Sequence, residues 1–198
     1  MMSEASSFQE LLLQVRAGDQ EAARELVQRY EPSIRRAVRF RLADSRLGRV
    51  LDSMDICQSV LASFFVRAAA GQYDIEQPEQ LLKLLVAMAR NKLALQARAQ
   101  QRQRRDHRRV DLASLDDKQL AGHEPTPSQN VSGRELLDAA ERLLSPEEQQ
   151  LVELRKEGLG WDAIAEQLGG KPEALRKKLA RAVDRVAHKL DLDDYCHE

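Results

Sequence analysis

The C-terminal third of this chain constrains its fold more than any other part, because residues 143–190 repeat apolar side chains at three- and four-residue steps. Ser145 can cap a helix at its N-terminus, with Pro146 at the first helical position and Glu148 completing a capping box. We find no alternation of apolar and polar residues that would indicate a strand. The pattern therefore predicts a run of short helices.

Two further helices are predicted around a glycine turn. The first covers about residues 161–168, and Gly169 with Gly170 supplies a left-handed turn after it. Pro172 opens the second helix at a position where its missing N–H costs nothing. The apolar face of this helix comprises Leu175, Leu179, Ala182, Val183, Val186 and Leu190. Its other face carries Lys177, Arg181 and Arg185 at four-residue steps.

This arrangement is typical of a helix-turn-helix motif, in which the second helix enters the major groove of DNA. A three-helix packing module with a solvated basic surface would show a similar pattern. The tight turn and the basic side chains early in the second helix favour DNA binding. We therefore expect one helix face to be core and the other to meet phosphates and base edges.

Composition sets the class of protein. A chain of 198 residues supports one or two small domains, and a hydrophobic content of 42% is enough for a core in each. The sequence has no run of eighteen apolar residues and no signal pattern, so we expect a cytoplasmic protein that does not enter the membrane. Cys57 and Cys196 have no metal-ligand spacing, which predicts reduced thiols and no metal or other cofactor.

The formal net charge of −1 hides an uneven distribution. Residues 1–110 contain 19 basic and 13 acidic side chains, whereas residues 133–198 contain 11 basic and 15 acidic ones. Six of the twelve residues from 98 to 109 are arginine. One helix face would carry Arg98, Arg102, Arg105 and Arg109. Such a stripe favours binding to nucleic acid, although a solvated helix end is the alternative.

Local signals divide the first part of the chain into helices. Gly18 ends one helix and Asp19 caps the next, whose apolar pattern is expected to be interrupted at Pro32. A third helix should start near Asp52 and end near residues 70–71. After a loop, Pro78 should open a long helix that ends in the arginine stripe. That helix carries Leu81, Leu85, Met88 and Leu93.

The segment between the two helical parts is acidic, contains a glycine and two prolines, and lacks a helical period. The predicted fold is therefore all-α, with two small helical domains joined by a flexible acidic linker. The domains are expected at residues 1–110 and 133–198, with the linker at residues 111–132.

Four segments together resemble a bacterial RNA polymerase sigma factor of the extracytoplasmic-function (ECF) type, in the sigma-70 family. They are GDQEAARELVQRYEPSIRRAVRFRL, DSMDICQSVLASFFVR, LLKLLVAMARNKLALQARAQQRQRR and the terminal helix-turn-helix. The resemblance covers roughly residues 8–190, and the order, spacing and linker all agree. It implies a subunit that binds core RNA polymerase, recognises the minus-ten and minus-thirty-five promoter elements and directs transcription initiation, with no chemistry of its own.

The resemblance implies a polymerase-docking helix. The family pattern D-x-x-D-aliphatic-x-Q is matched by Asp52, Asp55, Ile56 and Gln58. Two acids that meet basic side chains beside an apolar seam would fix the register of docking. Alternatively, both acids serve only to favour the N-terminus of a helix through its dipole.

The resemblance also implies contacts with the proximal promoter element. Arg90 and Asn91 match the family's A-R-N triplet, and Tyr73 lies in the loop where such proteins capture a flipped base. Tyr73 could equally anchor the loop. The arginine stripe contributes Arg98, Arg102 and Arg105. The chain departs from the family at Leu84 and Leu95, where a tryptophan and an acidic residue are usual.

For the distal element, the chain departs from the family's Ser and Gly-Thr at Lys171, Glu173 and Ala174. Arg176, Lys177 and Lys178 are the expected contacts with base edges in the groove. Arg181 and Arg185 are the expected contacts with phosphates. The distal-element residues are Lys171, Arg176, Lys177, Lys178, Arg181 and Arg185.

Two other functions would leave different signals in the sequence. A transcriptional regulator that acts without polymerase would need a sensor or dimerisation domain, and residues 8–110 show neither a pocket composition nor a long heptad. A helical hydrolase could use Asp44, Asp52 and Asp55 with a metal, but scattered histidines argue against a metal site. The expected partners are core polymerase and promoter DNA, with a monomer when free. The sequence leaves open whether an anti-sigma factor binds.

Overall fold

The computed structural model describes residues 4–43, 52–110 and 133–192, and every element in these ranges is a helix. This confirms the all-α prediction. The predicted linker at residues 111–132 lies outside the described residues. The helices are α1 (Glu4–Arg16), α2 (Gln20–Ala43), α3 (Ser53–Ala69), α4 (Pro78–Val110), α5 (Gly133–Arg142), α6 (Pro146–Lys156), α7 (Trp161–Leu168) and α8 (Pro172–Lys189).

Helices α1 to α4 form one bundle around a common apolar core. Each helix presents one stripe of apolar side chains to the others, as the three- and four-residue spacing predicts. The largest fully buried side chains of this core are Phe8, Leu26, Ile34, Phe64, Leu81, Leu85 and Met88. The turn between α1 and α2 follows the expected signals, because Gly18 has φ +81° and the Asp19 carboxylate accepts a hydrogen bond from the Ala22 N–H at 2.8 Å.

The expected interruption at Pro32 is wrong, because α2 continues through it from Gln20 to Ala43. Pro32 is exposed, while Tyr30 and Ile34 on either side of it are buried in the core. A proline inside a helix costs about 3 kcal/mol. Burial of the apolar stripe along α2 against α3 and α4 offsets that cost, so the helix does not break.

Helices α3 and α4 begin where the sequence places them. The Asp52 carboxylate caps α3 by accepting from the Met54 N–H at 2.9 Å, and Gly71 follows the helix with φ +68°. Pro78 is the first residue of α4. The segment that joins the end of α3 to the start of α4 is therefore a short connection.

Helices α5 to α8 include the two helices predicted around a glycine turn, which are α7 and α8. Ser145 and Glu148 form the capping box of α6. The turn between α7 and α8 uses Gly169 and Gly170, whose φ values are +77° and +101°. The core beneath this turn contains Leu151, Val152, Ile164, Leu179 and Val183.

The two halves of the chain pack against each other along the C-terminal half of α3. Val66 lies in an apolar cluster with Leu136, Ala140 and Val186 of the second half. Ala70, just after α3, joins the apolar core formed by α6, α7 and α8. The second half therefore rests on the end of α3.

Candidate nucleic-acid interface

The expected polymerase-docking residues lie in the first turns of α3. Asp52, Asp55 and Gln58 are exposed, so they form a polar surface at this helix end. Ile56 is buried in the core of the first bundle. Ile56 therefore anchors α3 in the bundle in this conformation. The expected docking residues that remain exposed are all polar.

The loop before α4 is held firmly by the first bundle. Tyr73 is half-buried and stacks on Phe64 with a centroid distance of 6.0 Å and an interplanar angle of 6°. The Tyr73 carbonyl accepts from an Arg16 Nη2 at 2.5 Å. Gln9 donates to the carbonyl of Ile75 at 3.1 Å, and Ile75 is itself buried. The aromatic ring that the resemblance assigns to base capture is thus part of the protein's own packing in this state.

Three arginines are exposed on the part of α4 whose side chains the structure describes. Arg90, Arg98 and Arg102 are exposed, and Asn91 is half-buried next to the buried Ala89. For Arg105 the structure describes the helical backbone and not the side chain. Arg98 and Arg102 are four positions apart and so lie on the same side of the helix, where they could meet the phosphates of a DNA strand.

The exposed face of α8 carries the other group of basic side chains. Lys171, Arg176, Lys177 and Arg181 are all exposed, and the opposite face of the helix is buried. Lys177 lies 3.5 Å from Glu173, and Lys178 pairs with Glu147. Neither Arg176 nor Arg181 has an ion-pair partner within the described part of the chain. These two guanidinium groups are therefore available as anion ligands on α8.

Arg185, which the sequence assigns to phosphate, is engaged within the protein. Its Nη1 and Nη2 donate to the Glu148 carboxylate at 3.1 and 2.7 Å, forming a two-pronged pair. The hydrogen bonds from Arg185 lower the pKa of Glu148 from 4.5 to about 2, against the opposing effect of burial, and those from Ser145 add to this lowering. Arg185 thus links α8 to the capping box of α6.

A profile of the ECF sigma factor family matches residues 5–191. The match spans both helical halves and nearly the whole chain. This chain belongs to the ECF sigma factor family. The protein is therefore a transcription initiation factor that associates with RNA polymerase at promoters. No curated protein matches the chain at a significant level.

Three features of this sigma factor escaped prediction from the sequence. Arg67 is 1% exposed, and Arg155 is also buried between the two halves. Phe40, at the C-terminal end of α2, is 76% exposed and has exposed arginines at positions 36, 39 and 41 around it. A signal for Arg67 exists, because it follows Val60 and Phe64 on the apolar stripe of α3. A charge at such a position requires a partner from elsewhere in the fold.

Asp44, one of the three acids of the hydrolase alternative, lies outside the described residues. Within the described ranges, no group of three histidine, cysteine or acidic side chains is arranged to hold a metal ion. In the same ranges, no helix is both long enough and apolar enough to cross a membrane.

Proposed function

We propose that this ECF sigma factor binds core RNA polymerase through the start of α3, reads the minus-ten element with α4 and its preceding loop, and reads the minus-thirty-five element with α8. The observation that carries the proposal is the placement of two separate basic helix faces on one chain. The face of α4 and the face of α8 both point to solvent, and each has its own supporting core.

The polar start of α3 supports the polymerase contact. Asp52 and Asp55 are exposed at a helix N-terminus, and their charges can meet basic side chains of a partner. Asp52 uses its carboxylate to cap the helix, whereas Asp55 makes no hydrogen bond or ion pair within the described residues. Asp55 is therefore the better candidate for an intermolecular ion pair.

Base readout is assigned to side chains that are free to move toward DNA. Lys177 is exposed, and within the described residues its one ion pair is the weak, solvated pair with Glu173. Arg90 and Asn91 sit together on α4, where an amide can bond a base edge and a guanidinium can hold phosphate or stack. The arginines farther along α4 would hold the strand by its phosphates.

The experiment is a measurement of core polymerase affinity for the wild type, Asp55→Arg and the matched control Glu25→Arg. Glu25 is an exposed acid on α2 in the same bundle. We expect Asp55→Arg to weaken binding by about 1–3 kcal/mol through like-charge repulsion, with the control close to wild type. Equal affinity of all three proteins, with unchanged helical circular dichroism, would show that α3 is not the docking helix.

A further inference from the structure

One acidic side chain lies among the basic side chains at the start of α8. Glu173 belongs to the first turn of this helix, and its side chain is 64% exposed. The exposed basic residues on the same part of the helix are Lys171, Arg176, Lys177 and Lys178. A carboxylate in this place repels the phosphates that its neighbours would attract. Affinity for the DNA backbone therefore does not account for it.

Glu173 lies on the solvent side of α8. The buried side chains of this helix are Leu179, Ala182, Val183, Val186 and Ala187. Glu173, Lys177 and Arg181 follow one another at four-residue steps and are all exposed, so they lie along one side of the helix, away from the core. In helix-turn-helix proteins, the N-terminal residues of the second helix contact base edges in the major groove. Glu173 and Lys177 occupy the first two turns of α8, which is that part of the helix.

The protein holds Glu173 only weakly. Within the described residues its one ion pair is with Lys177, whose Nζ lies 3.5 Å from the Glu173 Oε1. Both side chains are about two-thirds exposed, at 65% and 64%. An exposed pair four positions apart on a helix contributes little to stability, so a base can replace either partner at a small cost.

The base edges in the major groove differ in what they offer to a carboxylate. Cytosine presents the N4 amino donor, whereas guanine presents the O6 and N7 acceptors and thymine presents the O4 acceptor and a methyl group. Adenine presents its N6 amino donor beside the N7 acceptor. Because a carboxylate accepts hydrogen bonds and donates none, it suits cytosine, is repelled by guanine and thymine, and suits adenine only in part. A lysine ammonium has three donors and suits guanine.

We propose that Glu173 is a specificity-determining residue that accepts a hydrogen bond from the N4 amino group of a cytosine in the distal promoter element. Lys177, one turn farther along α8, donates to the O6 or N7 atom of the guanine paired with this cytosine. The intrahelical pair is thereby exchanged for readout of one C·G base pair. This inference rests on the proposed function, because it assumes that α8 lies in the major groove.

The same carboxylate should weaken binding to DNA that lacks this base pair. Specificity is a difference between two affinities, and a charge that repels the wrong bases and the phosphates increases that difference. An acid in the first turn also stabilises a helix through its dipole. That purely structural role predicts a change in the stability of Glu173 variants and no change in their base preference, so base preference distinguishes the two roles.

The test uses holoenzyme that is reconstituted from core polymerase and the full chain. The holoenzyme selects duplexes from a pool of random sequence, and the bound duplexes are sequenced. The variants are Glu173→Gln and Glu173→Ala, together with Lys177→Ala. The matched control is Glu166→Gln, because Glu166 is an exposed acid on α7 in the same half of the chain. The fluorescence of Trp161 verifies that this half is folded in each variant.

We expect the wild type and the control to select an upstream motif with one C·G pair, in which cytosine is favoured over guanine by about tenfold. Glu173→Gln should move the preference at this position toward adenine, because a glutamine amide bonds both N6 and N7. Glu173→Ala should reduce the preference for cytosine by about tenfold and bind duplexes without the motif at least as tightly as the wild type does. Lys177→Ala should relax the preference at the same position.

Three results would overturn the role of Glu173: a wild-type upstream motif without a fixed C·G pair, folded Glu173 variants that select the wild-type motif, or a control that alters the same position. The proposed function fails separately. The absence of any upstream motif in the wild-type selection would refute the assignment of α8 to the distal element. An upstream motif that Lys177→Ala alters and both Glu173 variants leave unchanged would refute only the inference about Glu173.

Discussion

The ion pair between Glu148 and Arg185 should give the second half of the protein a measurable pH dependence. The substitution that isolates it is Glu148→Gln. A glutamine can still accept from the Ser145 N–H and complete the capping box, so the cap remains while the charge is removed. The exposed neighbour Glu147, which pairs with Lys178, provides the matched control Glu147→Gln.

The magnitude follows from the pKa of Glu148, which folding lowers from 4.5 to about 2. At about 1.4 kcal/mol per unit, this corresponds to at most about 3.5 kcal/mol of stability. The Glu148 side chain is 10% exposed and that of Arg185 is 45% exposed, so solvent screens part of the interaction. We therefore expect about 1–3 kcal/mol.

The pH dependence of stability has the sign expected for a carboxylate whose pKa is lowered on folding. Its stabilising contribution is complete above about pH 4.5 and is lost as the pH falls toward about 2. At pH 7, Glu148→Gln should therefore lower the free energy of unfolding by about 1–3 kcal/mol. At pH 3 the difference from wild type should shrink to less than half of its value at pH 7.

The assay is urea unfolding of the full chain followed by the fluorescence of Trp161, the only tryptophan in the sequence. This residue lies in α7 and reports on the half that contains the ion pair. Glu147→Gln should change stability by at most about 0.5 kcal/mol, because its pair with Lys178 is exposed. A Glu148→Gln penalty that is the same at pH 3 and pH 7, or absent at pH 7, would refute the reasoning.

Three further predictions concern single side chains. Lys177→Ala should weaken promoter DNA binding by about 1–3 kcal/mol and relax the base preference at one or two positions of the upstream element. Arg181→Ala should weaken binding to all sequences alike and reduce the slope of log K against log salt by about 0.9, and duplex titration across a salt series measures both effects. Leu179→Asp should unfold the second half, because it places a charge at a fully buried position, and an unchanged Trp161 unfolding curve would contradict this. Cys57, whose pKa burial raises to about 11, should resist alkylation in the Cys196→Ser protein at pH 8 until urea unfolds it, which mass spectrometry can measure.

The helices and turns were predictable because their signals are local. The capping box at Ser145 and Glu148, the glycine turn before α8 and the cap at Asp52 all depend on residues within four positions of each other. Pro32 shows the limit of such reasoning. Its effect on α2 was decided by burial against α3 and α4, which no local pattern contains.

The candidate site was predictable in part. Periodicity predicts the exposure of Arg98 and Arg102 on α4 and of the basic side chains on α8, since an apolar stripe on one side of a helix fixes the opposite side toward solvent. It could not show that Arg185 pairs with Glu148, because the two residues lie on different helices. Nor could it show the packing of Arg67 and Arg155 between the halves, which depends on pairs more than eighty positions apart in the chain.

The most direct test of the central claim is transcription by reconstituted core polymerase with this sigma factor, followed by mapping of transcript starts across a genomic template. The account predicts starts that share two upstream motifs about 25 base pairs apart, with Lys177→Ala relaxing only the farther one. Starts without a shared pair of motifs, or starts unchanged from core polymerase alone, would contradict it.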